Sequence, residues 1–236
     1  MTTGSGALSA LLMMWCLTPY SGAQYREHTP QRISDRFVHA GFFAQRFEPR
    51  SSNAQADSLR IAYRRLMPTL GFRQGLVDVT VGYTRFPLHG QDKAALFVGL
   101  SVGHEMPITQ SAANGLFVRL SVSSDYTRAE SSGGDKESFV IGSAGIGAGM
   151  VYRLRHRGFE LSLAASEALH GSFQTFSTGM GFSAATMGEA LVQLREALLF
   201  DGIAMGYRFR YQTWSMNNKK FDYKTLAHGA FIGVMF

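Results

Sequence analysis

The 236-residue sequence predicts an all-β protein. The expected architecture is an up-and-down antiparallel transmembrane β-barrel of about 8–10 strands, with one amphipathic helix in a connection. Three observations carry this expectation. Apolar residues recur at every second position through segment after segment. The faces opposite them are Gly, Ala, Ser and single arginines, where a solvated sheet would carry Lys and Glu. No apolar run is long enough for a spanning helix, although 45% of the residues are apolar. Strands with one face to lipid and one to a polar lumen have this ordinary average.

The chain begins with an apolar run over residues 7–17, the length of a signal-peptide core and too short to span. Thr18 and Pro19 break it, and Ser21-Gly22-Ala23 offers small residues for cleavage before Gln24. Residues 1–23 are therefore expected to be a cleaved signal peptide, although the first six residues carry no Lys or Arg. Residues 24–35 are polar and read as a leader into a barrel domain over 36–236. Cys16 is the single cysteine and falls in the signal segment, so disulfides and thiolate metal sites are not expected in the mature chain.

The strands follow in order. Residues 37–47 form a first strand with Phe42 and Phe43 on opposite faces. Leu59, Ile61 and Tyr63 oppose Arg60 and Arg64. Val77, Val79, Val81 and Tyr83 oppose Asp78, Thr80 and Gly82. Leu96–Val102 and Leu116–Val122 alternate against Gly99, Gly103, Arg119 and Ser121. Ala144, Ile146, Ala148 and Met150 oppose a Gly/Ser face that ends at Arg153; the glycines there suit curvature better than a phosphate loop. Phe159, Leu161 and Leu163 oppose Glu160 and Ser162. In 172–184 the apolar set changes parity between Phe173 and Phe176, which predicts a bulge. Met205, Tyr207, Phe209 and Tyr211 oppose Arg208 and Arg210. Tyrosines toward strand ends, and Phe86 beside Tyr83, suit interfacial girdles.

The connections alternate in character. Arg157-Gly158 and Ala113-Asn114-Gly115 are tight-turn signals. Stretches 48–57, 127–137 and 215–222 are longer and polar. With a periplasmic N-terminus, the longer ones fall together on the external side. One segment does not alternate: in 187–200, Ala190, Leu191, Leu194, Ala197 and Leu198 recur at helical spacing with Glu189, Gln193 and Glu196 opposite. A strand through Val192 and Leu194 would be broken by Glu196, so the expectation there is a helix.

The last strand, 225–236, has Ala230, Ile232, Val234 and Phe236 on one face. A terminal Phe with apolar residues two, four and six positions before it resembles the C-terminal assembly signal of bacterial outer-membrane barrels. In architecture the chain is similar to OmpA-, OmpX- and OmpW-type barrels. The resemblance implies location in the outer membrane of a Gram-negative bacterium, contact with outer-membrane lipid and recognition by the barrel-assembly machinery.

Function is thinly encoded. A net charge of +6 raises nucleic-acid binding, but the arginines are dispersed singly and none is expected. No cofactor motif or metal-spaced His pair occurs. His170 and Ser172 resemble the His-x-Ser pair of outer-membrane lipid A deacylases, which would imply a general base, a nucleophile and a downstream Glu. The likeness is confined to those two residues, and the nearest downstream carboxylate, Glu189, falls in the expected helix. His228 shares the parity of Ile232 and is expected near the external interface. The lumen set Arg60, Arg64, Asp78, Glu105, Arg119, Arg153, Glu160, Arg208 and Arg210 reads either as a basic interior that prefers small anions or as a paired network that fills a narrow bore. The expected role is structural or in surface interaction, with a narrow anion-preferring pore and a lipid A hydrolase as alternatives.

If the terminal signal is read in this way, deletion of Phe236 impairs barrel assembly and leaves export intact. Comparing folded and periplasmic fractions of the truncated chain measures this, and normal assembly would show that the terminal pattern is incidental.

Overall fold

Ten antiparallel strands close into a barrel in a computed structural model that describes residues 36–50, 62–88, 91–130, 138–174, 179–196, 201–216 and 222–236. The strands are β1 (Arg36–Pro49), β2 (Tyr63–Gln74), β3 (Val77–Leu88), β4 (Gln91–Gln110) and β5 (Asn114–Glu130). They continue as β6 (Ser138–His156), β7 (Phe159–Gln174), β8 (Met180–Arg195), β9 (Gly202–Met216) and β10 (Tyr223–Met235). Each pairs with its sequence neighbour, and β1 pairs with β10 from Phe37↔Met235 to Pro49↔Tyr223. The expected signal peptide, the leader and Arg60 lie outside the described residues.

Period-two alternation sets the faces. Outward residues are large and apolar: Ile146 and Leu169 are 71% exposed and Phe182 is 77% exposed. Leu66, Leu70, Val122, Met150 and Ile232 share this surface. Inward residues include Thr80, Ser123, Asp125, Ser143, Glu160, Gln193 and Gln212, all buried. A water-soluble barrel has the reverse distribution, with its apolar side chains inside. Tyr83, Tyr152, Tyr207 and Tyr211 face outward as expected, whereas Phe86 points inward and is fully buried. His228 is exposed on the outer face, its ring 6.2 Å from that of Tyr207.

The connections sort by end. Those at 75–76, 111–113 and 157–158 lie at the end where β1 starts and β10 finishes. Of the longer polar stretches, residues 51–57, 131–137 and 217–221 lie outside the described residues. Arg157 and Gly158 both have positive φ (38° and 78°), the geometry of a two-residue hairpin that matches strand twist. The Asn-Gly signal works differently. Ser111–Ala113 form the connection, and Asn114 opens β5 with its N–H donating to Ser111 Oγ at 3.0 Å.

Four expectations need correction. Residues 187–195 are the second half of β8, not a helix, and 197–200 lie outside the described residues. Glu189, Leu191 and Gln193 point inward, while Ala190, Val192 and Leu194 face the other way. Glu196, whose charge argued against a strand, occupies the turn with φ 55°. The expected bulge in 172–184 is a change of strand: β7 ends at Gln174 and β8 begins at Met180, so parity restarts. The irregularity in register lies in β4, between Pro107 and Thr109. The second strand runs to Gln74, well past Arg64. Its ladder to β3 covers only Thr69–Gln74 and stops beside Pro68, which has no N–H to donate. Thr84 Oγ1 donates to Leu66 O at 3.2 Å and ties β3 to β2 above that point. Arg64 faces outward, on the parity of Leu66 and opposite Arg46, so it takes no part in the lumen.

Close approach of β6 to β7 yields a stability test. A Cβ on Gly145 would collide with backbone atoms of Leu169 and His170, whereas one on Gly171 would meet only Ala144 O at 4.0 Å. Gly145→Val is expected to cost about 2 kcal/mol or more, and Gly171→Val little. The temperature at which the folded form loses its fast electrophoretic migration compares them directly.

Candidate functional site: the barrel lumen

The lumen is stratified. At the end where β1 finishes and β10 starts, Phe47, Tyr63, Phe86, Trp214 and Tyr223 form an aromatic cap inside the barrel. Ring centroids lie 4.8 Å apart for Phe47–Tyr223, 4.9 Å for Tyr63–Phe86 and 5.5 Å for Phe47–Tyr63. At the other end, Phe37, Leu191, Ala204, Phe231 and Met235 pack over the side formed by β1, β8, β9 and β10. Alternation delivers these residues inward, and neighbouring strands bring them together.

Between these apolar layers lies a charged belt. Arg73 donates through Nη1 and Nη2 to the two Glu189 oxygens at 2.8 and 2.6 Å, and through Nε to Asp78 at 2.8 Å. Arg208 makes the reciprocal pair, Nε to Glu189 at 2.8 Å and Nη2 to Asp78 at 2.6 Å. These four residues come from β2, β3, β8 and β9, so their bonds cross the bore. The guanidiniums also rest on aromatic faces: Arg208 Cζ is 4.5 Å from the Phe231 centroid and Arg73 Cζ is 5.5 Å from that of Phe37. Two cations against two anions leave the belt neutral, and bidentate geometry offsets much of the desolvation.

Nearer the cap, Arg210 Nη2 donates to Asp125 at 2.5 Å. Gln212 Nε2 donates to Ser143 and Ser183, both at 3.0 Å, and Ser143 Oγ donates to Asp125. Toward the turn end, Glu105 takes Arg119 at 2.7 Å and Arg153 at 2.6 Å, and Glu160 takes Arg155 at 2.8 Å.

Of the expected lumen residues, Asp78, Glu105, Arg119, Arg153, Glu160, Arg208 and Arg210 all face inward and all are paired. Arg73, Glu189 and Asp125 were missed, although two of the three lie in the belt itself. Arg73 lies beyond the segment read as the second strand, and Glu189 was hidden by the helical spacing. Asp125 continues the parity of Arg119, Ser121 and Ser123, so a longer count of that alternation would have found it.

His170 and Ser172 both face inward and are buried, but the expected catalytic partners are not assembled around them. His170 Nε2 shares a hydrogen bond with Ser123 Oγ at 2.8 Å, and its Nδ1 lies 3.5 Å from Ser183 Oγ. Ser172 Oγ has no hydrogen-bond partner. In the β7–β8 ladder His170 stands opposite Ser183 and Glu189 opposite Ala164, so the carboxylate sits six positions away along the strands. It is engaged by two arginines there. Among the described residues no cluster of His, Cys, Asp and Glu is suited to a metal.

The charged belt does not fill the bore. A cavity of about 200 Å³ runs from Trp214 and Thr225 beneath the cap, past Phe43 and Phe97, to Gly75 and Leu76 in the β2–β3 turn.

No family model matches the chain, and no curated protein matches it. Among solved structures it is similar to the outer membrane protease OmpT from Escherichia coli, at 7% identity over 89% of this chain and 98% of that one, TM-score 0.42. It is also similar to Neisserial surface protein A, at 15% identity over 85% of this chain and 97% of that one, TM-score 0.32. A third is Ail, the attachment invasion locus protein of Yersinia pestis, at 11% identity over 85% of this chain and 97% of that one, TM-score 0.27. The activity named for OmpT is that protein's. In architecture this chain resembles small outer-membrane β-barrels, and its own inward and outward faces carry the reading that follows.

The belt generates a stability prediction. Glu189→Ala leaves Arg73 and Arg208 to share Asp78 alone, and is expected to cost about 3–5 kcal/mol. The double variant Glu189→Ala/Arg73→Met removes one surplus cation and recovers part of that loss. Urea unfolding midpoints of the refolded barrel measure both; a double variant no more stable than the single one would mean the two side chains are not coupled.

Proposed function

We propose that this protein is an outer-membrane β-barrel with a closed lumen and a structural or surface-interaction role. The carrying observation is the inverted distribution of polarity: an apolar outer surface around paired charges and an aromatic cap. Only a solvent as apolar as lipid favours that outer face. Export through residues 1–23 and assembly by the barrel-assembly machinery belong to the same proposal, as does an orientation with the short turns in the periplasm.

The paired belt supports a closed lumen over an anion-preferring pore. A conducting bore exposes unpaired charge to passing ions. Here Arg73, Arg208 and Arg210 are each held by carboxylates, and the cap crosses the bore beyond them. A hydrolase reading draws less support, since His170 is bonded to Ser123 and lies far from Glu189 along the ladder.

Expression in a Gram-negative host tests location: the protein is expected in the outer-membrane fraction with heat-modifiable migration, and recovery in the soluble periplasmic fraction would defeat the proposal. In planar bilayers the refolded protein is expected to give no steady openings. Sustained anion-selective conductance would favour the pore.

A further inference from the structure

We propose that the outward face of β10, β1 and β2, at the end where β1 finishes, binds the phosphate group of a phosphorylated lipid between Arg46, Arg64 and Lys224. The proposal rests on the outer-membrane reading above, in which this end is external, and it names the lipid that the surface selects. Outward alternation on β1 runs through Val38, Ala40, Phe42 and Ala44, and then reaches Arg46. On β2 the outward apolar run ends at Leu66, and the next outward residue is Arg64. Lys224 follows Leu226 on β10 in the same way, and Arg85 follows Tyr83 on β3. At the turn end, Arg36 is the one cation on these outward faces among the described residues.

The cations are crowded and short of partners. Arg46 stands directly opposite Arg64 in the β1–β2 ladder, and like charges so placed repel. Glu48 takes Arg46 Nε at 2.5 Å and Lys224 Nζ at 2.8 Å, so one carboxylate serves two cations. Arg64 is exposed and pairs with no described carboxylate. Arg85 Nε donates to the Tyr83 hydroxyl at 3.3 Å. The other described carboxylates bordering these strands are committed or remote. Asp222 Oδ1 accepts from the Met216 N–H at 2.9 Å, and Asp92 stands opposite Pro87 on the far side of β3. A phosphate set between Arg46 and Arg64 accepts from both guanidiniums and turns their repulsion into two charge-assisted bonds.

The surface beneath the cations decides where that phosphate comes from. Phe42, Leu66 and Leu70 lie below Arg46 and Arg64 on the same outward faces, and are 55%, 59% and 60% exposed. Ala44 stands between Leu66 and His228, and Ala40 between Leu70 and Ile232, so small residues on β1 leave shallow space between larger neighbours. A molecule held by its phosphate at Arg46 and Arg64 lays acyl chains along this surface. A free anion gains nothing from it. Cations placed just beyond an apolar band also sit at the depth of lipid headgroups.

The test uses the full chain refolded in detergent and titrated with diphosphoryl lipid A, with the dephosphorylated lipid as comparison. Native mass spectrometry reads the lipid bound per barrel. Saturable retention of the diphosphoryl form is expected, and loss of the dephosphorylated one. Arg46→Gln and Arg64→Gln are each expected to weaken binding about fivefold. Glu48→Gln has the opposite sign: it releases Arg46 and Lys224 to the phosphate and is expected to tighten binding about fivefold. Arg36→Gln, at the other end of the same face, is expected to leave binding unchanged. Heat-modifiable migration verifies folding of each variant. Absence of saturable binding overturns the proposal, as does equal retention of the dephosphorylated lipid. Binding that Arg36→Gln weakens as much as Arg64→Gln reports general charge attraction and overturns it too, and so does a Glu48→Gln variant that fails to bind more tightly. These measurements need no membrane, so their failure is distinguishable from failure of the fractionation that tests location.

Discussion

The ladder between β1 and β10 joins Phe37 to Met235 at one end and Pro49 to Tyr223 at the other, and it leaves the sheet without an edge. An apolar solvent offers no partner to a backbone N–H or C=O, so a sheet with this outer surface has to close on itself. Closure then dictates the rest. It makes an inside from which bulk water is largely excluded, and alternation sends half of every strand into it. Whatever polar groups the sequence places on that parity must find one another across the bore.

They do so in layers. Bonds from Arg73 to Glu189 and from Arg208 to Asp78 reach between strands far apart around the barrel, and tie opposite walls together where local ladders cannot. The pairs are worth little as isolated ion pairs once desolvation is counted, but removing one member strands a charge. The aromatic cap and the Phe37–Phe231 layer flank the belt and lower its dielectric surroundings. This strengthens the pairs and raises the penalty for leaving any atom unmatched.

Much of the barrel was legible because the rule behind it is short-range. Period-two alternation needs only neighbouring residues, so Asp78, Glu105, Arg119, Arg153, Glu160, Arg208 and Arg210 could be assigned to one face without knowing their partners. The reading failed where a local pattern fitted two geometries. In 187–195 small apolar residues satisfy a 3.6 spacing and a spacing of two at once, and the ladders to β7 and β9 decide between them. It fell short again in the second strand, where the alternation was followed only to Arg64 although the strand runs to Gln74 along β1.

By itself the sequence determined the all-β architecture, the parity of most strands, the outward apolar surface and the inward charge, since each depends on residues a few positions apart. Only the tertiary structure decided that there are ten strands, that Glu189 and Arg73 belong to the lumen, that the charges are paired and that a cavity remains beside the belt. Those facts depend on which strands face one another across a closed sheet. His170 and Ser172, two residues apart in sequence, share a face yet share no hydrogen bond, while Arg73 on β2 and Glu189 on β8 meet across the bore.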